Sequence, residues 1–90
     1  MEYLKRLFKN EVTKNVIIFF NENPHSIDTA KGISIWIGHE PEEVEDSLKI
    51  LLKNGILINH KTVSTTAYSY TNNRKITKTI EEYIKKNINP

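Results

Sequence analysis

Glu40, Glu42, Glu43, Glu45 and Asp46 place five carboxylates in seven residues, the densest cluster of reactive side chains in this sequence. Three uses are open to it. Carboxylates in the first turn of a helix are stabilised by the helix dipole, by about 0.3–1 kcal/mol each when exposed. An acidic face docks a basic protein surface. Individual Glu or Asp side chains also accept hydrogen bonds from cytosine amino groups in a DNA major groove. Five carboxylates are more than capping requires, and like charges this close repel one another, so the arrangement is tolerated or used rather than optimal for stability. Acid–base catalysis is not among the uses, because Glu42, Glu45 and Asp46 on an exposed helix face lack the burial that such chemistry needs.

The remaining polar residues point away from metals and catalysis. The sequence contains three histidines, His25, His39 and His60, and no cysteine. None of the histidines pairs with another at helical spacing, and without thiolates the usual zinc frameworks are excluded, so no metal site is expected. No glycine-rich phosphate loop or nucleophile elbow occurs, and neither a cofactor nor an enzymatic activity is expected. A different set is suited to phosphate oxygens: Lys49, Lys53, Lys61, Arg74, Lys75 and Lys78, with the hydroxyls of Thr62, Ser64, Thr65, Thr66 and Tyr68. The plainer account of that set is good strand formers on a solvated hairpin and lysines on a solvated face.

Ninety residues, 38% hydrophobic and 27% charged, fit one globular domain over 1–90. The net charge of +2 is too small to identify a nucleic-acid binder, but it is unevenly spread. Residues 25–60 carry three lysines against six acids, whereas residues 61–90 carry six cations against two acids. No apolar run approaches membrane-spanning length and the N-terminus lacks a signal-peptide core, so a cytoplasmic protein with no membrane partner is expected.

Periodicity supplies the elements that must hold these residues. Leu4, Leu7, Phe8, Val12, Val16, Phe19 and Phe20 recur at helical spacing, predicting one long helix over about 2–20 with Asn10 as its weak point and Asn21, Asn23 and Pro24 as its stop. His25–Ile27 has room only for a very short strand. A helix capped by Asp28 or Thr29 then reaches Ile37, with Ile33, Trp36 and Ile37 on one face and Gly38 closing it. The next helix starts at Pro41 and ends at Gly55, burying Val44, Leu48, Leu51 and Leu52 and turning Glu42, Glu45, Asp46, Lys49 and Lys53 outward. Ile56–Ile58 begins a strand, Ala67–Thr71 forms its partner, and the glycine-free tip HKTVSTT leaves the register open. A last helix over 74–88 carries a stripe of Ile76, Ile80, Tyr83, Ile84 and Ile88.

Helix, short strand, helix, turn, helix, two strands, helix is the order of a winged helix-turn-helix domain. The residues Ile33-Ser34, Ile37-Gly38, Pro41-Glu42-Glu43-Val44 and the run Leu51-Leu52-Lys53-Asn54-Gly55-Ile56-Leu57 resemble that superfamily's pattern. Tyr68-Ser69-Tyr70-Thr71-Asn72-Asn73-Arg74 resembles the wing exit of ArsR-like and MarR-like transcriptional regulators. The resemblance implies an α+β fold, mainly helical with a small hairpin, and a DNA-binding regulator that acts as a homodimer on a palindromic site. It implies that the helix from Pro41 enters the major groove, with His39, Glu42, Glu45, Asp46, Lys49 and Lys53 at the duplex. Lys61, Thr62, Ser64, Thr65, Thr66, Arg74 and Lys75 would meet the wing-side backbone. The terminal helices would build the dimer through Leu4, Leu7, Phe8, Ile80, Tyr83, Ile84 and Ile88, which offer more apolar face than a small core needs. Two departures stand out: the reading helix is acidic where DNA-binding relatives are neutral or basic, and the wing tip has a lysine but no arginine. They favour a second reading, in which the acidic helix docks a basic protein partner in a transcription, replication or repair complex.

Overall fold

The computed structural model describes residues 2–88. Its elements in order are α1 (Glu2–Leu7), α2 (Glu11–Glu22), β1 (Ile27–Thr29), α3 (Ala30–Ile37), α4 (Pro41–Lys53), β2 (Leu57–Lys61), β3 (Thr66–Tyr70) and α5 (Arg74–Asn87). The expected order holds except that the first helix is two. The break falls at Asn10, whose side-chain oxygen accepts from the Thr13 amide at 3.0 Å and so caps α2. An N-cap residue is itself non-helical, which separates α1 from α2.

Local chemistry explains the other boundaries. Asn23 ends α2 by donating both its backbone N–H and its side-chain amide to the Phe19 carbonyl, each at 2.9 Å. The Ser26 amide then bonds to the Asn23 carbonyl at 3.0 Å, and this turn delays β1 to Ile27, two residues later than expected. Thr29 caps α3 by accepting from the Gly32 amide at 3.1 Å. A Cβ at position 32 would meet the Asp28 carboxylate lying over that first turn and force it aside, which glycine avoids despite its poor helix propensity. Gly55, with φ of 74°, ends α4 in a Schellman arrangement: its N–H bonds to the Leu52 carbonyl at 3.1 Å, and the Ile56 N–H to that of Leu51 at 3.0 Å.

The three strands form one antiparallel sheet in the order β1-β3-β2. Ile27 faces Ser69 across one ladder, and Leu57 faces Tyr70 and Lys61 faces Thr66 across the other. The glycine-free tip is closed by threonine. The Thr65 amide donates to Thr62 Oγ1 at 3.1 Å, and that hydroxyl donates to the Thr65 carbonyl at 3.1 Å, which fixes the register. Val63 stands fully exposed at the apex.

A single core gathers Leu4, Val16, Ile17, Phe20, Ile33, Val44, Leu48, Leu51, Ile56 and Ile80, all without exposed surface. Two expectations are corrected here. Trp36 is not on the buried face of α3 but is 72% exposed. The buried face is centred on Ile33 and Ser34 with Ile37 beside them, and Trp36 lies about a quarter turn away on a helix of 3.6 residues per turn. On α4 the stripe is Val44, Ser47, Leu48 and Leu51, with Leu52 only half-buried, so a serine takes the place expected of a leucine.

Candidate nucleic-acid interface

The outward ridge of α4 follows from what the helix buries. With Val44, Ser47, Leu48 and Leu51 inward, Glu42, Asp46, Lys49 and Lys53 line the opposite side and Glu45 flanks them, all exposed. The ridge is acidic in its first half and basic in its second. Among the described residues the one ion pair is Lys14 with Glu11, at 3.0 Å on α2, so none of these α4 charges is neutralised by a neighbour. Even Glu45 and Lys49, spaced four apart in the favourable sense, remain separate.

One hydrogen bond to α4 itself and two in the preceding turn set its position against the rest of the molecule. Thr13 Oγ1 and Ser47 Oγ share a buried hydrogen bond of 2.8 Å between α2 and α4. Gly38, in the left-handed region with φ of 73°, bonds its N–H to the Ser34 carbonyl at 2.9 Å and turns the chain sharply between α3 and α4. His39, half-buried in that turn, accepts from the Asn15 side-chain amide through Nε2 at 3.1 Å, leaving Nδ1 as the ring's remaining polar atom. Sequence reasoning missed Thr13, Asn15 and Ser47. A signal existed for two of them, since Thr13 and Ser47 are polar residues within otherwise apolar helical stripes; the Asn15 to His39 link leaves no trace in spacing.

The wing brings only part of its expected set together. Lys61, Thr62, Ser64 and Thr65 are exposed at the tip and Thr66 is half-exposed. The Thr62 hydroxyl is committed to closing the tip, whereas those of Ser64, Thr65 and Thr66 form no hydrogen bond among the described residues. Arg74 and Lys75 are exposed but lie at the base of β3, a strand length from the tip, where Arg74 borders a groove of about 530 Å³. Of the terminal-helix residues, Leu4, Ile80 and Ile84 are buried in the chain's own core and present no surface to a second copy. Leu7, Phe8, Tyr83 and Ile88 are half-buried, with Phe8 and Tyr83 in ring contact at 4.7 Å.

A tight turn between two helices, a three-stranded sheet ending in a two-stranded wing, and flanking terminal helices are shared with known structures. Reduced HlyU from Vibrio cholerae N16961 superposes with a TM-score of 0.70 at 14% identity, over 94% of this chain and 85% of that one. The fold is a winged helix-turn-helix. A transcriptional regulator homologue from Pyrococcus horikoshii OT3 superposes on it with a TM-score of 0.67 at 19% identity, covering 99% of this chain and 96% of the other. No family model and no curated protein matches the sequence, and at these identities the likeness is one of fold. In winged-helix terms α3 and α4 are the helix-turn-helix, β2 and β3 the wing, and β1 the strand that completes the sheet. No helix among the described residues is long and apolar enough to cross a membrane, and no group of three or more His, Asp or Glu side chains among them is placed to hold a metal ion.

Proposed function

We propose that this winged helix is a DNA-binding transcriptional regulator that works as a homodimer on a palindromic site. The observation that carries the reading is the pair Lys49 and Lys53, exposed and unpaired on the outward ridge of the helix that follows the Gly38 turn. Together with Lys61 on the wing they supply the phosphate contacts. Glu42, Glu45 and Asp46, on the same ridge, either accept from cytosine amino groups or stand passive against the phosphates, and removing the charge of Glu42 and Asp46 tells the two apart. Half-exposed Leu7, Phe8, Tyr83 and Ile88 supply the face through which two copies pair, and a palindromic site follows from the two-fold symmetry of such a pair.

A second reading has its own observation. Trp36 and Ile35 are 72% and 75% exposed on α3, and Trp36 lies over a shallow groove shared with Ile18, Phe19, Glu22 and Ile37. Exposed apolar side chains near an acidic helix suit a basic, amphipathic protein segment better than a phosphate backbone. Backbone amide NMR separates the two. In the DNA reading, duplex DNA shifts the resonances of Lys49, Lys53 and the Lys61–Thr66 turn; a spectrum unchanged by duplex at low salt would remove DNA as the partner and leave the α3 surface as the docking site.

A further inference from the structure

Among the described residues Tyr70 Oη is the one buried side-chain polar atom with no hydrogen-bond partner. Its residue is 5% exposed and its ring stacks on Phe20 with centroids 6.1 Å apart. Burial, reinforced by the Glu81 carboxylate, pushes the phenol up to about 12, so it stays a proton donor across the physiological range. A buried donor without an acceptor is costly, and such a group calls for an explanation.

The groove beside it supplies one. About 530 Å³ of space runs between the end of α2, the link from β3 to α5 and the first turns of α5, and Tyr70 is part of its wall. Arg74 and Lys78 are one helical turn apart on α5, as are Thr77 and Glu81, so both pairs face the groove. Two cations and one carboxylate match a monoanion. Asn21, Asn72 and Thr77 add amides and a hydroxyl that an apolar guest would leave desolvated without compensation.

We propose that this groove binds a hydroxylated monocarboxylic acid of sugar-acid size, its carboxylate between Arg74 and Lys78 and one of its oxygens accepting from Tyr70 Oη. Because Oη carries no exposed surface, a lining side chain swings aside as the acid enters. Glu81 is exposed and bears on the phenol electrostatically, so its displacement removes a like charge from the carboxylate. The site is independent of the DNA reading and is tested without DNA.

The test is an amide NMR titration of the labelled chain with sodium gluconate, against sodium chloride at matched ionic strength, glucose and inorganic phosphate. Gluconate is expected to give saturable shifts at Tyr70, Asn72, Arg74 and Lys78. Tyr70→Phe, which keeps the ring stack and the fold, is expected to weaken binding by roughly tenfold or more, the loss of one hydrogen bond to a charged group. Lys78→Gln is expected to weaken it as well. Shifts no larger than those from sodium chloride, equal binding of glucose or phosphate, or undiminished gluconate binding by Tyr70→Phe would overturn the proposal.

Discussion

The Thr13 and Ser47 hydroxyls form the polar joint that holds the candidate reading helix to its scaffold. Each satisfies the other in a buried setting, so removing one strands its partner. Thr13→Val should lower stability by about 1–3 kcal/mol in urea denaturation, whereas adding Ser47→Ala should restore part of that loss because no orphan hydroxyl remains. A double mutant no more stable than Thr13→Val would contradict the joint. Tyr70 is the complementary case, a donor with no partner to lose. Its pKa is raised from 10.0 to about 12, so the folded state holds this proton more tightly than the unfolded chain. The stability this contributes is complete below pH 10 and is lost as pH rises towards 12. Tyr70→Phe should flatten that decline relative to the parent while leaving neutral-pH stability unchanged or higher, as measured by denaturation across the alkaline range. The joint was half legible in the sequence, since two polar residues interrupt apolar stripes. Tyr70's isolation was not, because Ala67–Thr71 read as a strand says nothing about what faces its hydroxyl.

At the scale of elements, the punctuation residues carried most of the legible information. Pro41 and Gly55 bound α4, Gly38 makes the turn, and α5 covers Arg74–Asn87 as its stripe implied. Each works through backbone geometry, which is local and therefore readable. Trp36 failed for the opposite reason. Its spacing from Ile33 is helical, but which side of α3 faces the core is decided by α2 and α4 packing on Ile33 and Ser34. β1 was displaced by the Asn23–Ser26 turn, and the wing register depended on a Thr62 side chain standing in for glycine. The acid half of α4 belongs at this scale as well. If it is passive in DNA binding, Glu42→Gln with Asp46→Asn should tighten nonspecific duplex binding by roughly three- to tenfold at low salt, through removal of repulsion from phosphates. Weaker binding by this variant would mean that the carboxylates read bases or organise the helix.

For the whole molecule, the uneven charge of the sequence becomes a spatial arrangement. Acidic residues 40–46 lie at the start of α4, whereas the cations after residue 60 are divided between the wing tip and α5. That division separates Lys61 from Arg74, which the family resemblance had grouped. The apolar surplus of the terminal helices proved smaller than their stripes implied, because Leu4, Ile80 and Ile84 complete the single core. What remains half-exposed still supports self-association, and light scattering should return twice the 10.5 kDa chain mass at micromolar concentration. A mass of one chain would leave Leu7, Phe8, Tyr83 and Ile88 as a solvated edge. In the proposed complex Lys49, Lys53 and Lys61 meet a DNA backbone. Those contacts can be read by fluorescence anisotropy of a labelled duplex titrated with protein over a series of salt concentrations. Binding should weaken as salt rises, with a salt slope reduced by about one for each of Lys49→Ala, Lys53→Ala and Lys61→Ala. No binding at low salt, or binding whose salt dependence these three substitutions leave unchanged, would contradict those contacts.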